Sequence, residues 1–195
     1  MIRLVRIATV QALALLAVAA AIGACGSDEA TGPGNPESAA RDYEKALKDA
    51  PPPLAALYDE GNELLGGGLD AYESRIEELG GYPAVVNKWA SWCGPCRAEF
   101  PFFQSQAAKR GEKIAFLGLN SEDNDEAAMT FLEELPLPYP SYVDPGSEIA
   151  AEIDADREFP ATVFYDSDGE IAYVHRGGYQ DEADLAADIE RYAGV

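Results

Sequence analysis

From residue 83 to the end of the chain, short apolar runs alternate with amphipathic segments, which is the pattern of a sheet covered by helices. Strands are predicted at Ala84–Trp89, Lys113–Leu119, Tyr142–Val143, Thr162–Tyr165 and Ile171–His175. Helices are predicted at Cys93–Arg110, Asp125–Leu135, Ser147–Ile153 and Asp181–Tyr192. Because Pro101 lies inside the first of these helices, we expect a kink there. Helix-linked strands followed by a hairpin predict an α/β fold with a mixed central sheet flanked by helices.

The preceding residues 39–80 carry a different pattern, that of short amphipathic helices between helix breakers. Helices are predicted at Ala39–Ala50, Leu54–Leu65 and Asp70–Leu79. Three prolines from Pro51 and three glycines from Gly66 separate them. The sequence therefore predicts an N-terminal helical extension at 39–80 before the main domain at 81–195, and it assigns no role to that extension.

The first 38 residues have the composition of a targeting segment followed by a tether. Arg3 and Arg6 precede an unbroken apolar run at 12–22, as in secretory signal peptides. The Ile-Gly-Ala before Cys25 resembles a lipobox, so we predict a lipoprotein signal peptide at 1–24 and lipidation of Cys25. A flexible tether rich in Gly, Pro and Ser is predicted at 25–38. The alternative is an uncleaved membrane anchor, for which the stretch 7–24 is slightly short.

Composition and charge exclude several classes of protein. The chain has 195 residues, of which 47% are apolar and 25% charged, as expected for one globular domain. It carries 14 Lys and Arg against 35 Asp and Glu, a formal net charge of -21. Nucleic acid is therefore excluded as a partner, because phosphate contacts need basic residues. A single histidine excludes metal or haem sites built from several histidines.

The segment with clear chemistry reads WASWCGPC and joins a predicted strand to a predicted helix. A thiolate is the nucleophile in thiol chemistry, and a helix N-terminus stabilises an anion, so we expect a lowered pKa for Cys93. Cys96 lies one turn further on, within reach of a mixed disulfide at Cys93. Gly94 and Pro95 keep the turn tight, and Trp92 gives the nucleophile an apolar cover. The motif and its setting predict a redox-active pair.

Three other interpretations of this cysteine pair fit less well. A structural disulfide across so short a loop adds little stability. A zinc site needs two further ligands, and the sequence offers no second cysteine pair and no nearby histidine. Covalent haem attachment needs a histidine directly after the second cysteine, where this chain has Arg97.

With these residues in place, the chain resembles the membrane-anchored thiol-disulfide oxidoreductases of the TlpA/ResA type in the thioredoxin superfamily. The similarity runs from about residue 83 to the C-terminus. It rests on VNKWASWCGPCRAEFP at the active-site block, LGLNSEDNDEAAMTFLEEL at the strand, loop and inserted helix, FPATVF at the cis-proline loop and DSDGEIAYVHRGG at the terminal hairpin. The resemblance implies a thioredoxin fold with a central β-α insertion.

The resemblance also implies roles for particular residues. Pro160 takes the place of the cis-proline that presents its backbone to an extended substrate segment, and Trp92 and Phe159 are expected beside it in substrate binding. Glu99 takes the place of the family's acid on the active-site helix, as a catalytic residue that exchanges a proton with Cys96. The alternative for this acid is a solvated side chain favoured by the helix dipole.

Three positions, Lys88, Phe159 and His175, depart from the family pattern or lie outside it, whereas Asn87 is common in this branch of the family. Asn87 stands where thioredoxin itself has a buried Asp, so that acid–base role is not expected here. Lys88 replaces the usual aromatic residue, and we expect its amine to extend off the strand end into solvent. The alternative is that its charge lowers the pKa of a nearby thiol. Phe159 is bulkier than the residue usually found before the cis-proline, which predicts a narrower or more apolar substrate groove. His175 is expected to have a structural role rather than a catalytic one.

The sequence thus predicts an extracytoplasmic thiol-disulfide oxidoreductase, lipid-anchored at Cys25 on the outer face of the cytoplasmic membrane or in the periplasm. A protein-disulfide reductase acting on exported proteins is favoured, with cytochrome c maturation as one setting. Its redox-active Cys93–Cys96 disulfide would serve without a further cofactor or metal. The resemblance implies protein thiol or disulfide substrates and a CcdA-like membrane electron-transfer partner.

Other functions stay open as alternatives. A disulfide oxidase or isomerase would use the same fold and the same cysteine pair. A thiol peroxidase fits less well, because position 90 is Ala where the peroxiredoxin pattern has Thr. A copper-delivery protein also fits less well, since the spacing is CxxC and His175 is the only histidine.

Overall fold

The structure is a computed structural model that describes residues 36–194, with side chains from residue 42 onward. The predicted signal peptide, the predicted lipidation site at Cys25 and most of the predicted tether lie outside the described residues. The first described helix begins at Pro36, inside the stretch predicted as tether. Proline is well suited to the first turn of a helix, because that turn does not need its missing N–H.

Across residues 36–194, no helix is long and apolar enough to cross a lipid bilayer.

The described chain contains six strands and seven α-helices. The strands are β1 (Leu64–Leu65), β2 (Ala84–Trp89), β3 (Ala115–Ser121), β4 (Ser141–Asp144), β5 (Ala161–Tyr165) and β6 (Ile171–Arg176). The helices are α1 (Pro36–Leu47), α2 (Pro52–Tyr58), α3 (Gly68–Glu78), α4 (Gly94–Arg110), α5 (Asp125–Glu134), α6 (Glu148–Glu152) and α7 (Glu182–Asp188). Helix α4 continues through Pro101 to Arg110.

All six strands form one sheet in the order β1-β4-β3-β2-β5-β6. The strands β1, β4, β3 and β2 pair in parallel, whereas β5 is antiparallel to both β2 and β6. The predicted mixed sheet is therefore confirmed. The β-α insertion is also present, because α5, β4 and α6 lie between β3 and β5 in the chain and β4 pairs with β3.

Helices cover both faces of the sheet and form a separate hydrophobic core on each. On one face, α4, α5 and α7 bring Phe100, Phe131 and Leu185 against strand residues that include Trp89. On the other face, α2, α3 and α6 pack residues such as Tyr72 against the sheet. Because β2 lies in the middle of the sheet, all six of its residues are buried. Polar side chains on this strand must therefore find partners inside the protein.

The prediction of a single helix over Leu54–Leu65 is wrong. Helix α2 ends at Tyr58, and Asn62 adopts the left-handed conformation with φ 65°, which ends any helix. The Asn62 side chain then accepts a hydrogen bond of 2.8 Å from the backbone of Leu137. Leu64–Leu65 pair with β4 as an edge strand, since the open edge of the sheet offers backbone partners that override helix propensity. The extension at 39–80 is therefore not wholly helical.

The last helix also differs from its prediction. The α-helix covers Glu182–Asp188, and the chain continues as a π-helical turn over Ile189–Ala193 rather than as one α-helix to Tyr192. Both ends of this turn, Ile189 and Ala193, are buried against the sheet face that α4 covers.

Much of the predicted extension shares a core with the sheet. Leu54, Leu57 and Tyr72 are at most 1% exposed and pack in the same cluster as Val86 and Val163 of the central strands. The Tyr72 hydroxyl also lies 3.0 Å from the hydroxyl of Tyr165 on β5. The division of the chain at residue 80 into an extension and a domain stays a prediction.

Replacing Gly118 with alanine is expected to destabilise the fold by about 2 kcal/mol. An added Cβ would lie 2.8 Å from the Ser141 Cβ and 2.9 Å from Trp89 Nε1, which donates a 3.1 Å hydrogen bond to Ser141. Urea unfolding measures the change. The matched control is Gly66→Ala, because a Cβ at Gly66 meets no atom within 4 Å. Equal stability of the two variants would contradict the expected clash.

Candidate active site

The two motif cysteines lie where β2 ends and α4 begins. Cys93 is the N-cap residue of α4, and its Sγ accepts a hydrogen bond of 3.1 Å from the backbone N–H of Cys96. The two residues form a disulfide with a Cα–Cα distance of 5.3 Å. Cys93 is 4% exposed and Cys96 is fully buried. Cys93 is thus the more exposed residue of the pair, and its sulfur stands at the positive end of the helix dipole.

Glu99 lies one turn further along α4 and is fully buried. Its carboxyl accepts hydrogen bonds from Asn87 Nδ2 at 2.8 Å and from the backbone N–H of Tyr179 at 3.1 Å. Burial raises the pKa of Glu99 to about 7, and the two hydrogen bonds only partly oppose this effect. The alternative interpretation of Glu99, a solvated acid at the helix surface, is therefore wrong. The side chain is a buried carboxyl that titrates near neutral pH.

The loop before β5 places Pro160 next to this site. The Phe159–Pro160 peptide bond is cis, and the Pro160 carbonyl accepts a 3.0 Å hydrogen bond from Gly177. An ideal Cβ built on Gly178 would lie 3.6 Å from atoms of Pro95, Glu99 and Pro160 alike. The glycine segment after β6 therefore adjoins the active-site turn, the buried acid and the cis-proline at once.

Three side chains form a stack beside the disulfide. Trp92 is 59% exposed, and its ring centroid lies 4.8 Å from that of Phe159. The Lys88 amine lies over the Phe159 ring, 3.7 Å from its centroid. The same amine donates a 3.3 Å hydrogen bond to the backbone carbonyl of Glu158. The stack combines an exposed aromatic surface with a buried cation.

The expectation that Lys88 extends into solvent is wrong. Its side chain is fully buried on the central strand, held by the aromatic ring of Phe159 and a backbone carbonyl. Burial lowers the pKa of Lys88, and nearby carboxylates only partly offset that effect. The cation–π contact and the carbonyl compensate for the lost hydration, which is why burial of the amine is tolerated here.

A carboxylate that the sequence did not single out holds the loop before the cysteines. Asp123 accepts hydrogen bonds from the Ser91 backbone N–H at 2.6 Å, the Ser91 hydroxyl at 2.8 Å and Asn120 Nδ2 at 2.9 Å. Burial alone would raise the pKa of Asp123, but these bonds outweigh it and the pKa lies below its usual value. Asp123 thus fixes the backbone two residues before Cys93.

His175 does not contact the cysteine pair but lies in a second polar cluster beyond Tyr179. Its ring stacks on the Tyr179 ring with centroids 4.0 Å apart, and its Nδ1 lies 3.4 Å from Asp188 Oδ2. The Tyr179 hydroxyl donates a 2.9 Å hydrogen bond to the same carboxylate. Sequence reasoning missed Gly178, Tyr179 and Asp188, because nothing in their spacing connects them with a cysteine motif 80 residues earlier.

Most residues of the predicted site lie close together. They are the cysteine pair, Gly94, Pro95, Glu99, and Pro160 with the neighbouring Trp92–Phe159 stack. Among residues 42–194, no group of three or more His, Cys, Asp or Glu side chains is arranged to hold a metal ion. The expected absence of a cofactor beyond the disulfide stays a prediction.

Comparison with known proteins places this site in a family. The model of the Redoxin family matches residues 66–189. The thiol-disulfide oxidoreductase ResA of Bacillus thuringiensis subsp. konkukian is 26% identical over 110 residues, which are 56% of this chain and 63% of ResA. The thioredoxin-like protein YneN of Bacillus subtilis is 27% identical over 112 residues, which are 56% of this chain and 65% of YneN. The chain thus spans less than two thirds of the length of these relatives.

The solved structure of Mycobacterium tuberculosis dsbF, in mixed oxidized and reduced forms, is similar with a TM-score of 0.55 and 27% identity. The similarity covers 60% of this chain and 85% of dsbF. These matches confirm the expected thioredoxin fold. The chain belongs to the Redoxin family, as a ResA-type member of the thioredoxin superfamily.

Proposed function

We propose that this protein is a thiol-disulfide oxidoreductase that works through the Cys93–Cys96 pair. The observation that carries the proposal is the position of the pair. Its more exposed residue, Cys93, caps a helix N-terminus, and a buried acid and a cis-proline stand beside it. The names of the ResA and dsbF relatives support the same chemistry.

In the reducing direction, the Cys93 thiolate attacks one sulfur of a substrate disulfide. A new S–S bond joins Cys93 to the substrate, and the other substrate sulfur leaves as a thiolate that takes up a proton. Cys96 then loses its proton and attacks Cys93, which releases the second substrate thiolate. The substrate gains two electrons and two protons, and the Cys93–Cys96 pair becomes the disulfide. An electron donor must then reduce the pair again.

Glu99 is suited to accept the proton that Cys96 must lose. The carboxyl lies one helical turn from Cys96 on the same helix, and its pKa of about 7 lets it change protonation state near neutral pH. Asn87 and the Tyr179 N–H stabilise its ionised form. In this proposal Glu99 is the general base for resolution and the general acid in the reverse direction.

Substrate docks on the surface formed by Trp92, Phe159 and the Pro160 backbone. The exposed Trp92 ring provides apolar contact area next to the sulfur that reacts. Trp92 is itself held in place, because its Nε1 donates a 3.0 Å hydrogen bond to the Glu122 carbonyl. The proposed substrates are therefore extended protein segments that carry a disulfide or a thiol.

The favoured direction is reduction of disulfides in exported proteins, with cytochrome c maturation as one setting. The Gly-Pro dipeptide between the cysteines is that of thioredoxin, a reductant with a potential of about −270 mV. Lipid anchoring at Cys25 outside the cytoplasm and a CcdA-like electron donor in the membrane belong to this proposal. The alternative is a disulfide oxidase or isomerase on the same fold.

The deciding experiment is a redox titration of the purified protein against glutathione and dithiothreitol with thiol trapping. We expect Cys93 and Cys96 to titrate together as one two-electron couple, at a potential near that of thioredoxin. A couple near about −120 mV would overturn the reducing direction in favour of an oxidase. Failure of the two cysteines to titrate as a reversible pair would overturn the proposal itself.

Replacing Gly178 with alanine tests the substrate surface. The backbone at Gly178 is not left-handed and the new methyl would make ordinary contacts of 3.6 Å, so stability should match that of Gly66→Ala. The methyl fills space between Pro95 and Pro160, so reduction of a protein disulfide should slow about fivefold, which is about 1 kcal/mol. Reaction with a small aromatic disulfide should hardly change. Equal slowing with both substrates would argue against a docking role.

A further inference from the structure

Lys88 is a buried charged residue that the proposed reaction does not use. Among residues 42–194 it is the only lysine or arginine that is buried, and it lies on the central strand β2. An ammonium group is costly to bury unless protein groups replace its hydration. The groups that replace this hydration therefore show which part of the molecule the residue holds.

Both partners of the Lys88 amine belong to the loop that joins α6 to β5. The amine lies 3.7 Å from the centroid of the Phe159 ring and donates a 3.3 Å hydrogen bond to the carbonyl of Glu158. These are the two residues directly before Pro160. Two residues after Phe159, Ala161 is opposite Lys88 in the β2–β5 ladder. One side chain of the central strand thus holds the loop at the point where it reaches the active site.

Phe159 connects the buried amine with the exposed surface beside the cysteines. Its half-buried ring contacts the amine and also the Trp92 ring, with the two ring centroids 4.8 Å apart. Trp92 is 59% exposed. An apolar side chain at position 88 could fill the same space, but it would attract neither the electron-rich ring face nor the carbonyl. The position of the Phe159 ring therefore depends on the charge of Lys88.

The surroundings of Lys88 favour its charged form. Burial lowers the pKa of Lys88, but four carboxylates act in the opposite direction. They come from the loop after β3, from the end of β4 and from the loop before β5, and they are Glu122, Asp144, Asp156 and Glu158. Attraction to these groups stabilises the protonated amine, which is the form that a ring face attracts.

We propose that Lys88 is a positioning residue, which holds Phe159 and the Glu158 carbonyl so that the Trp92–Phe159 surface can dock an extended protein segment. This inference rests on the proposed function in one respect, namely that substrate docks on this surface. Lys88 does not touch the substrate, because its side chain is fully buried. Its influence is on selectivity. It matters for protein disulfides, which need the docking surface, and not for small disulfides, which need only reach Cys93.

The test compares Lys88→Met with the wild type, using the purified full-length protein and dithiothreitol as electron donor. Methionine keeps most of the length of the side chain and removes its charge. We expect the KM for a protein disulfide to rise about fivefold, the effect of losing one cation–π contact, while kcat stays within about twofold. The rate with a small aromatic disulfide should not change. A purely structural role would lower the urea midpoint of unfolding and leave the KM unchanged, which would overturn the proposal.

Val86→Ala is the matched control for a general loosening of the strand. Val86 is fully buried two residues before Lys88, so both side chains lie on the same face of β2. Val86 packs in the core cluster that contains Tyr72, whereas Phe159 packs against the other cluster. The truncation should lower the urea midpoint and leave the KM for the protein disulfide unchanged. An equal rise of KM in Val86→Ala would overturn a specific role for Lys88, because any weakening of β2 would then have this effect.

A double-mutant cycle tests whether Lys88 acts through the Phe159 ring. Phe159→Leu keeps an apolar side chain and removes the ring face, so it should raise the KM on its own. In that background Lys88→Met should cause little further rise, because the contact that it removes is already absent. The same rise in both backgrounds would overturn the proposal. Should Lys88→Met fail to fold, Lys88→Gln serves in the cycle, since it keeps a donor for the Glu158 carbonyl without a charge.

The same variant distinguishes positioning from a direct electrostatic effect of Lys88 on the Cys93 thiol. Such an effect would shift the pH dependence of Cys93 alkylation by iodoacetamide to higher pH in reduced Lys88→Met, and would slow both classes of disulfide. We expect an unchanged pH profile, and the shift would overturn the positioning role. Failure of the wild type to reduce either disulfide would overturn the proposed function and the docking role with it. Normal wild-type kinetics with an unchanged KM in Lys88→Met would overturn the role of Lys88 alone.

Discussion

Replacing Cys93 with serine is expected to lower the rate of disulfide reduction by a factor on the order of 10³ or more. A hydroxyl remains protonated at neutral pH, whereas the thiol at a helix N-terminus forms the thiolate that attacks disulfides. Cys93 is also the more exposed residue of the pair, and Cys96 is fully buried, so we expect no other thiol of the motif to replace it. The rate is measured by reduction of a protein disulfide with dithiothreitol as electron donor.

The matching substitutions at the other two cysteines distinguish nucleophilic attack from general thiol loss. Cys96→Ser should leave the first attack intact and accumulate a mixed disulfide between Cys93 and substrate, visible as a covalent adduct on non-reducing gels. Cys25→Ser is the control, since Cys25 lies far from the motif in sequence and should leave the rate of the purified protein unchanged. If a covalent adduct formed in Cys93→Ser instead, the attacking sulfur would be that of Cys96 and the assignment to Cys93 would be wrong.

Hydrophobic periodicity predicted the central part of this fold because the apolar pattern there reflects burial directly. The six buried residues of β2 and the amphipathic α5 lie within a residue or two of their predicted bounds. The same reasoning failed at Leu64–Leu65, where two leucines in a helical pattern pair with a distant strand. Sequence alone does not contain that pairing, because it depends on the position of β4 some 75 residues later.

The candidate site divides in the same way between local and distant contacts. The strand–helix junction with Cys93 and Cys96 is a local feature, and the sequence predicted it. The sequence left two interpretations of Glu99 open, a catalytic acid and a solvated one. The choice depends on its burial and on its contacts with Asn87 and with the Tyr179 backbone far along the chain. Lys88 was misread for a related reason. Its burial depends on Phe159, whose ring reaches the amine only after β5 has paired with β2.

Replacing Glu99 with glutamine is expected to change how stability depends on pH. The pKa of Glu99 rises from 4.5 to about 7 on folding, mainly through burial. Between these values the folded protein retains a proton that the unfolded chain loses, so stability falls as pH rises through this window. The carboxyl therefore stabilises the fold fully below pH about 4.5, and by pH about 8 it has lost about 3 kcal/mol of that contribution.

Glutamine is uncharged, so it does not incur the cost of burying a carboxylate charge at high pH. Asn87 can turn its unpartnered Oδ1 towards the new amide and accept a hydrogen bond from it. The stability of Glu99→Gln relative to wild type should therefore rise by about 3 kcal/mol between pH 4.5 and pH 8. Urea unfolding of the oxidised proteins across this range measures the difference. The control Glu133→Gln, at an exposed position on α5, should show a flat difference. If the stability of Glu99→Gln relative to wild type also stayed constant with pH, the expected pKa shift would be wrong. The Glu99 carboxyl would then be hydrated like that of an exposed acid, because desolvation is the main cause of the raised pKa.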